Sequence, residues 1–169
     1  PEHIAGRVEV LAKVLRARKL LQGMRLGVIG EPSDWLIASA PDETELQRKL
    51  GVSLVRIPIA VLIGKLEGIS QDREKGAEEI YLALKDMVAQ YSLNGLTLRC
   101  FDLLGPIRNT GCLALARLNA EGIPSSCEGD IPALVTMAVG NALSGQCGFQ
   151  ANPARINPSS GEYLFAHCT

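Results

Sequence analysis

The chain has 169 residues, of which 47% are hydrophobic and 21% are charged, and its formal net charge is -1. This composition excludes a wholly disordered or collagen-like chain, and the near-zero charge excludes a general attraction to nucleic acid or to anionic membranes. No apolar run is long enough to span a membrane, and the first residues lack the charged and apolar regions of a signal peptide. The sequence therefore predicts a folded cytoplasmic domain, with neither nucleic acid nor a membrane as its partner.

Helical and extended segments alternate along the chain and are separated by short turns. Apolar residues at helical spacing, several followed by a glycine, predict helices over 4–22, 42–50, 70–91, 110–121 and 131–143. Apolar and β-branched runs predict strands over 26–30, 52–57, 96–100, 123–127, 147–151 and 163–166. Residues 152–161 are rich in proline and serine and are predicted to form a turn.

Strands that alternate with helices build right-handed β-α-β units, so the sequence predicts an α/β fold. The predicted fold is doubly wound and Rossmann-like, with a mainly parallel sheet and helices on both faces. Residues 1–22 are interpreted as a leading amphipathic helix that could link to a preceding domain, and residues 23–169 as one α/β domain. Ligands bind beyond the carboxyl ends of the strands in such sheets, because loops and helix N-termini meet there.

Polar side chains follow the predicted strands, and we expect these positions to share one edge of a single parallel sheet. The candidates for catalysis and metal binding are Glu128 and His167, and the candidates for substrate binding are Ser33, Asp34, Trp35 and Asn152. Glu128 is the sharpest candidate, since it directly follows a strand and precedes Gly129, where the backbone can approach a ligand closely. A carboxylate in that position can bind a metal ion or act as a base.

Each of these residues also has a purely structural interpretation. Glu128 could be a solvated loop carboxylate, and His167 could be a hydrogen-bonded residue at a strand end. Asp34 could form a turn with its own backbone, and Trp35 could belong to the core. For Asp130, which comes just before a predicted helix with proline in its first turn, we prefer a helix N-cap to a metal ligand.

The five cysteines are odd in number and lack C-x-x-C spacing, so the sequence predicts reduced thiols and neither a disulfide framework nor a zinc knuckle. Cys127 and Cys168 flank the two catalytic candidates. We find nothing nearby that would serve as the base of a catalytic thiol, so we interpret both as packing residues. The segment Gly27-Val-Ile-Gly30 covers half of a dinucleotide-binding fingerprint, but the full G-x-G-x-x-G pattern is absent and supports nicotinamide binding only weakly.

Five motifs occur in order through most of residues 24–169. They are Gly30-Glu-Pro-Ser-Asp-Trp-Leu-Ile-Ala-Ser39, Arg99-Cys-Phe-Asp102, Gly111-Cys-Leu-Ala-Leu-Ala-Arg-Leu-Asn-Ala-Glu-Gly-Ile-Pro124, Cys127-Glu-Gly-Asp-Ile-Pro-Ala133 and Ala166-His-Cys-Thr169. Together they resemble the L-fucose/L-arabinose isomerase superfamily, in particular its shorter, fucose isomerase-like members. The resemblance implies a sugar isomerase built from α/β N-terminal domains and a C-terminal domain, with a divalent metal, usually manganese, in the shared cleft.

By this resemblance Glu128 falls on the metal-binding carboxylate that also handles the substrate proton, and His167 falls on a histidine close to the metal. In the arabinose isomerases a second acidic ligand follows a Phe-Met pair, whereas this sequence has Phe149-Gln-Ala-Asn152. Asn152 could offer only a neutral carbonyl oxygen. We therefore expect manganese, or another divalent cation, to be incompletely coordinated by this chain.

The resemblance also implies what the longer protein does. It implies metal-assisted aldose–ketose isomerisation of a small sugar through an ene-diol, in trimers or hexamers whose neighbouring subunits complete each site. This chain would be the middle α/β domain, inactive by itself, with roughly the last 20 residues leading into a C-terminal domain. The alternative is a non-catalytic carbohydrate-binding or assembly domain on the same scaffold.

Overall fold

The computed structural model of the chain describes residues 2–38 and 40–167. The helices are α1 (Glu2–Leu21), α2 (Glu43–Leu50), α3 (Ile59–Lys65), α4 (Arg73–Gln90), α5 (Cys112–Ala120) and α6 (Ile131–Ser144), with a short 3-10 helix at Cys100–Leu103. The strands are β1 (Arg25–Ile29), β2 (Ser53–Ile57), β3 (Gly95–Leu98), β4 (Ser125–Cys127), β5 (Asn152–Asn157) and β6 (Glu162–Ala166). The first four strands form a parallel sheet in the order β2-β1-β3-β4. The predicted doubly wound α/β fold is confirmed.

Aspartate residues fix where three of the helices begin. The side chains of Asp42, Asp72 and Asp130 each accept a hydrogen bond from a backbone amide in the first turn of α2, α4 and α6. Such caps contribute about 1 kcal/mol each. Gly51 and Gly145 end α2 and α6 in the left-handed conformation, with φ of 74° and 75°. The predicted N-cap at Asp130 is confirmed.

The apolar core lies on both faces of the parallel sheet. On one face α3, α4 and α5 cover the strands, and Ile29 and Leu98 are fully buried there. On the other face α1 and α6 cover Leu26, which is also fully buried. Full burial of one such side chain stabilises the fold by roughly 1.5–3 kcal/mol. Residues 26–29 of β1 are all buried, so both faces of this strand lie beneath a layer of helices.

Helix α1 forms as predicted, but much of its apolar surface is uncovered. Ala17 and Leu21, near its end, are buried, whereas most of its other apolar side chains are exposed. The exposed ones include Ile4, Val8, Leu11, Val14 and Leu15. None of the helices in the described ranges combines the length and the apolarity needed to cross a membrane.

The end of the chain departs from the prediction. Residues 147–151 form no strand, and β5 occupies part of the predicted turn. β6 forms where a strand was predicted, but it pairs antiparallel with β5 and does not join the parallel sheet. The register shifts between Pro153 and Arg155, and a two-stranded hairpin tolerates this proline because both of its strands are edges. Helix α3 was not predicted, since a short apolar run after Pro58 fits a helix or a strand equally well.

Candidate active site at the carboxyl edge of the sheet

The loops after β1 and β3 meet at the point where the order of the strands reverses. The chain passes from β1 to β2 on one side and later places β3 on the other side of β1. Ligands bind at such switch points in open α/β sheets. Here the two loops are joined by Arg99, whose Nη1 donates to the carbonyl of Pro32 at 3.2 Å and approaches Asp34 Oδ1 at 3.5 Å.

The Arg99 guanidinium lies between two carboxylates, and the base of its side chain packs against a glycine. Its Nε donates to Asp102 Oδ1 at 3.2 Å, and its Nη2 lies 3.5 Å from Asp34 Oδ2. Burial works against the charge of Arg99, but the hydrogen bond to Asp34 and the charges of both carboxylates outweigh it and raise the pKa of Arg99. A Cβ at Gly30, where φ is +84°, would lie 2.9 Å from the Arg99 Cβ, so glycine allows the end of β1 to pack closely against the base of the Arg99 side chain.

Glu128 follows β4 in a left-handed backbone conformation, with φ of 63°. Its carbonyl accepts hydrogen bonds from the Ser33 amide at 3.1 Å and from the Ser33 hydroxyl at 2.6 Å. Its carboxylate oxygen Oε2 accepts a hydrogen bond from Trp35 Nε1 at 3.1 Å. A non-glycine residue rarely adopts such a φ, and such residues cluster at functional sites. The loop after β1 therefore holds both the backbone and the side chain of Glu128.

Gly129 allows the loops after β1 and β4 to touch. A Cβ on Gly129 would lie 2.7 Å from the carbonyl oxygen of Glu31 and 2.9 Å from the Cα of Pro32. Both neighbours are backbone atoms, which cannot swing away as a side chain can. The glycine at this position predicted a close approach of a ligand to the backbone, and the group that approaches in the structure is the protein's own loop after β1.

An aromatic pair lies beside the Glu128 carboxylate. Trp35 and Phe101 make an edge-to-face contact with ring centroids 5.7 Å apart, and Trp35 is 55% exposed. The Arg99 guanidinium lies 6.0 Å from the Trp35 ring. This edge of the sheet thus combines exposed aromatic surface, a carboxylate and fixed polar groups. That combination can pack against the C–H face of a sugar and bond to its hydroxyls.

The candidate site residues are not all on the parallel sheet. Ser33, Asp34, Trp35 and Glu128 do share its carboxyl edge. Ser33 is 1% exposed, and its hydroxyl is bonded to the Glu128 carbonyl. The expectation that His167 ends a strand of the same sheet is wrong, because His167 follows β6 of the separate hairpin.

The open end of the hairpin is nevertheless tethered close to β4. Asn152 pairs with Ala166, the residue before His167. Two residues earlier, Gln150 Oε1 accepts a hydrogen bond from the Cys127 amide at 2.7 Å. The base of the hairpin, with Asn152 and His167, is therefore linked through one side chain to the residue that precedes Glu128.

Comparison with known proteins finds relatives that carry the same name, sulfoquinovose isomerase. The chain is 22% identical to a sulfoquinovose isomerase of Alkalicoccus urumqiensis over 98% of its own length and 42% of that protein. It is 25% identical to a sulfoquinovose isomerase of Priestia aryabhattai, over 92% of the chain and 40% of the relative. A third, from a Clostridium species, is 23% identical over 88% of the chain and 38% of the relative. No family model matches the chain. The chain thus spans about two fifths of the length of the curated relatives it matches.

A cluster of three cysteines, which was not predicted from the sequence, lies beneath this edge of the sheet. The Sγ atoms of Cys100, Cys112 and Cys127 all lie within 4.8 Å of one another. Hydrogen bonding to Cys100 and Cys112, together with burial, raises the pKa of Cys127, and the pKa of Cys100 is also raised, chiefly by Cys112. None of the four cysteines in the described ranges is in a disulfide, as predicted, and Cys168 lies outside those ranges. Two of the predicted strands end in cysteine, but only the strand order shows that these strands are neighbours.

Proposed function

We propose that the whole protein is a sugar aldose–ketose isomerase and that this chain carries one edge of its active site, centred on Glu128. The observation that carries the proposal is the fixed position of Glu128 in a left-handed loop at the end of β4, where Ser33 binds its backbone carbonyl and Trp35 binds its carboxylate. The relatives named sulfoquinovose isomerase, which are similar over 88% to 98% of this chain, support the same type of reaction.

Glu128 is the proposed base of the reaction. Its carboxylate would take the proton from the carbon next to the sugar carbonyl, and it would return this proton to the neighbouring carbon of the resulting ene-diol. Trp35 orients the carboxylate by donating to Oε2. We assign to His167 the transfer of the hydroxyl proton between the two sugar oxygens, and the tether through Gln150 supports this role.

The remaining candidates divide between substrate contact and positioning. The exposed ring of Trp35, next to Phe101, offers an apolar surface for one face of the sugar. Asp34, whose side chain is 85% exposed, and Asn152 are proposed to bond to sugar hydroxyls. Ser33 is proposed to act through Glu128, because its hydroxyl is buried and donates to the Glu128 carbonyl.

We assign a complete site for a divalent cation only to the whole protein and not to this chain. Within residues 2–38 and 40–167, no group of three Asp, Glu or His donors converges around Glu128, so this part of the chain does not fit a complete manganese centre. A hard cation needs several oxygen ligands. We propose that Glu128 and His167 contribute to a site for manganese or another divalent cation whose other ligands lie outside the described residues.

We also propose that this chain packs against other domains and subunits, because apolar side chains are exposed on two of its surfaces. The apolar side chains of α1 are exposed, and so are Tyr163, Leu164 and Phe165 on the hairpin. A two-stranded hairpin is marginal by itself in water, so it needs a surface to pack against. We propose that further domains, and neighbouring subunits in a trimer or hexamer, cover these surfaces.

A non-catalytic carbohydrate-binding domain is the second candidate. The sequence favours it at one point: by the resemblance to the arabinose isomerases, Asn152 falls where a second acidic ligand is expected, and it offers an amide in place of a carboxylate. In that case the exposed aromatic pair would bind sugar, and Glu128 would be only a hydrogen-bond acceptor.

An isomerisation assay on the whole protein separates the two candidates. The protein is incubated with sulfoquinovose, fucose or arabinose, with and without added manganese, and ketose formation is followed by carbon NMR. We expect at least one of these aldoses to be converted to its ketose. Saturable sugar binding without any ketose would favour the binding domain, and neither binding nor conversion would contradict both.

A further inference from the structure

Three cysteine side chains from three separate elements converge at one point of the core. Cys100 begins the 3-10 helix after β3, Cys112 begins α5, and Cys127 ends β4. Their Sγ atoms all lie within 4.8 Å of one another. The backbone positions of all three are fixed by the parallel pairing of β3 with β4 and by the packing of α5 against the sheet. The thiol cluster, as we call these three residues, is therefore a consequence of the fold.

The spacing of the thiol cluster suits a single bound ion. Three sulfurs bonded to one ion at about 2.3 Å lie roughly 3.8–4.0 Å from one another, by trigonal or tetrahedral geometry. The sulfurs here are already within 4.8 Å, so shifts of less than about 1 Å would complete that arrangement. Cys100 and Cys127 are fully buried, while Cys112 is half-buried and provides a route of entry from the surface.

The surroundings favour a soft cation. All three donors are sulfur, and no Asp, Glu or His of the described ranges belongs to the cluster. The neighbouring Cys112 thiol and burial raise the pKa of Cys100, and the backbone of Glu128 partly offsets them by hydrogen bonding to this sulfur. Thiolates select soft ions such as copper(I), zinc and cadmium over hard ions such as manganese.

We propose that Cys100, Cys112 and Cys127 form a three-thiolate binding site for one thiophilic cation, directly beneath the Glu128 loop. On binding, the S–H protons leave to solvent and are replaced by metal–sulfur bonds. This site is distinct from the proposed sugar site in both position and chemistry, since it uses sulfur inside the core and not oxygen at the edge.

Cadmium(II) is the probe for the test, because thiolate-to-cadmium charge transfer absorbs in the ultraviolet. The reduced 169-residue chain is titrated anaerobically with cadmium. The matched control is Cys147→Ser/Cys168→Ser, which leaves the thiol cluster as the only thiols of the chain. We expect one equivalent to bind the wild type and the control with the same absorption, and to raise the melting temperature of each by several degrees.

Cys112→Ser, in the control background, removes the half-buried member of the cluster. We expect it to weaken cadmium binding at least tenfold, a loss at the lower end of what disturbing a metal site usually produces. Cadmium-113 NMR of the wild type counts sulfur ligands without relying on any variant, and its shift should fall in the range of thiolate coordination. The proposal is overturned if the control shows no charge-transfer absorption, if Cys112→Ser binds as tightly as the control, or if the NMR shift indicates only oxygen and nitrogen ligands.

Discussion

The contact between the loops after β1 and β4 can be tested by adding a single methyl group at Gly129. In Gly129→Ala the new Cβ would lie 2.7 Å from the Glu31 carbonyl oxygen and 2.9 Å from the Pro32 Cα, at a φ of +68°. The first loop carries Trp35, and the second carries Glu128. Pushing the two loops apart should therefore disturb both the stability of the fold and the position of the candidate base.

Two separate costs add up in this variant. A non-glycine residue in the left-handed region costs about 1–2 kcal/mol. Forcing extra volume into a packed contact costs roughly another 1–3 kcal/mol. Gly122→Ala isolates the first cost, because φ is +84° there and nothing lies within 4 Å of the added Cβ. We expect Gly129→Ala to lower the free energy of unfolding by about 2–5 kcal/mol and Gly122→Ala by about 1–2 kcal/mol.

Equilibrium unfolding in urea, with the slope m compared between variants, measures both losses. The difference between the free energies of unfolding of the two variants measures the cost of the contact between the loops, because the cost of the left-handed backbone is common to both. Equal losses for Gly129→Ala and Gly122→Ala would show that the two loops do not touch, and the geometry given for Glu128 would then be wrong.

Three further predictions concern single side chains. Trp35→Phe removes the hydrogen bond to Glu128 Oε2 and should lower kcat/KM of the whole protein up to about tenfold, since a bond to a charged group contributes roughly 1.5 kcal/mol. Asp130→Ala removes the cap of α6 and should cost about 1 kcal/mol in urea unfolding. The hydrogen bond from Lys85 is the main cause that lowers the pKa of Glu121 below its ordinary 4.5, so this carboxylate stabilises the fold above that pH. Glu121→Gln should therefore lower the melting temperature at pH 7, and the difference should fade as the pH drops below 4.5 through the lowered pKa.

Local signals in the sequence were sufficient to predict most strands of the parallel sheet and most of the helices that cover it. Asp130 stands directly before a predicted helix and caps it in the structure. Asp42 and Asp72 fall within the predicted helical ranges 42–50 and 70–91, and the structure shows that they too are caps, so α2 and α4 begin at Glu43 and Arg73. Gly51 and Gly145 stand directly after such patterns and end the helices. Caps and stops act within a few residues, so they can be predicted without knowing the fold.

Features that depend on distant pairing could not be predicted in the same way. Nothing local shows that β6 pairs with β5 alone, so His167 was assigned to the wrong sheet. The thiol cluster depends on β3 and β4 being neighbours, which is a property of the strand order. Arg99, which joins the two loops of the candidate site, was quoted in a motif, but its contacts with Pro32 and Asp34 arise across more than sixty residues of sequence.

The most direct test of the central proposal is the turnover of Glu128→Gln in the whole protein, on a sugar that the wild type isomerises. Glu31→Gln is the matched control, since Glu31 follows β1 at the same edge but its exposed carboxylate faces Arg56 at 3.4 Å. The amide of Glu128→Gln keeps the shape of the side chain but cannot accept the substrate proton. We predict that kcat falls at least ~100-fold in Glu128→Gln, with an unchanged melting temperature, and stays at the wild-type value in Glu31→Gln. Wild-type turnover by Glu128→Gln would show that Glu128 is not the base of the reaction.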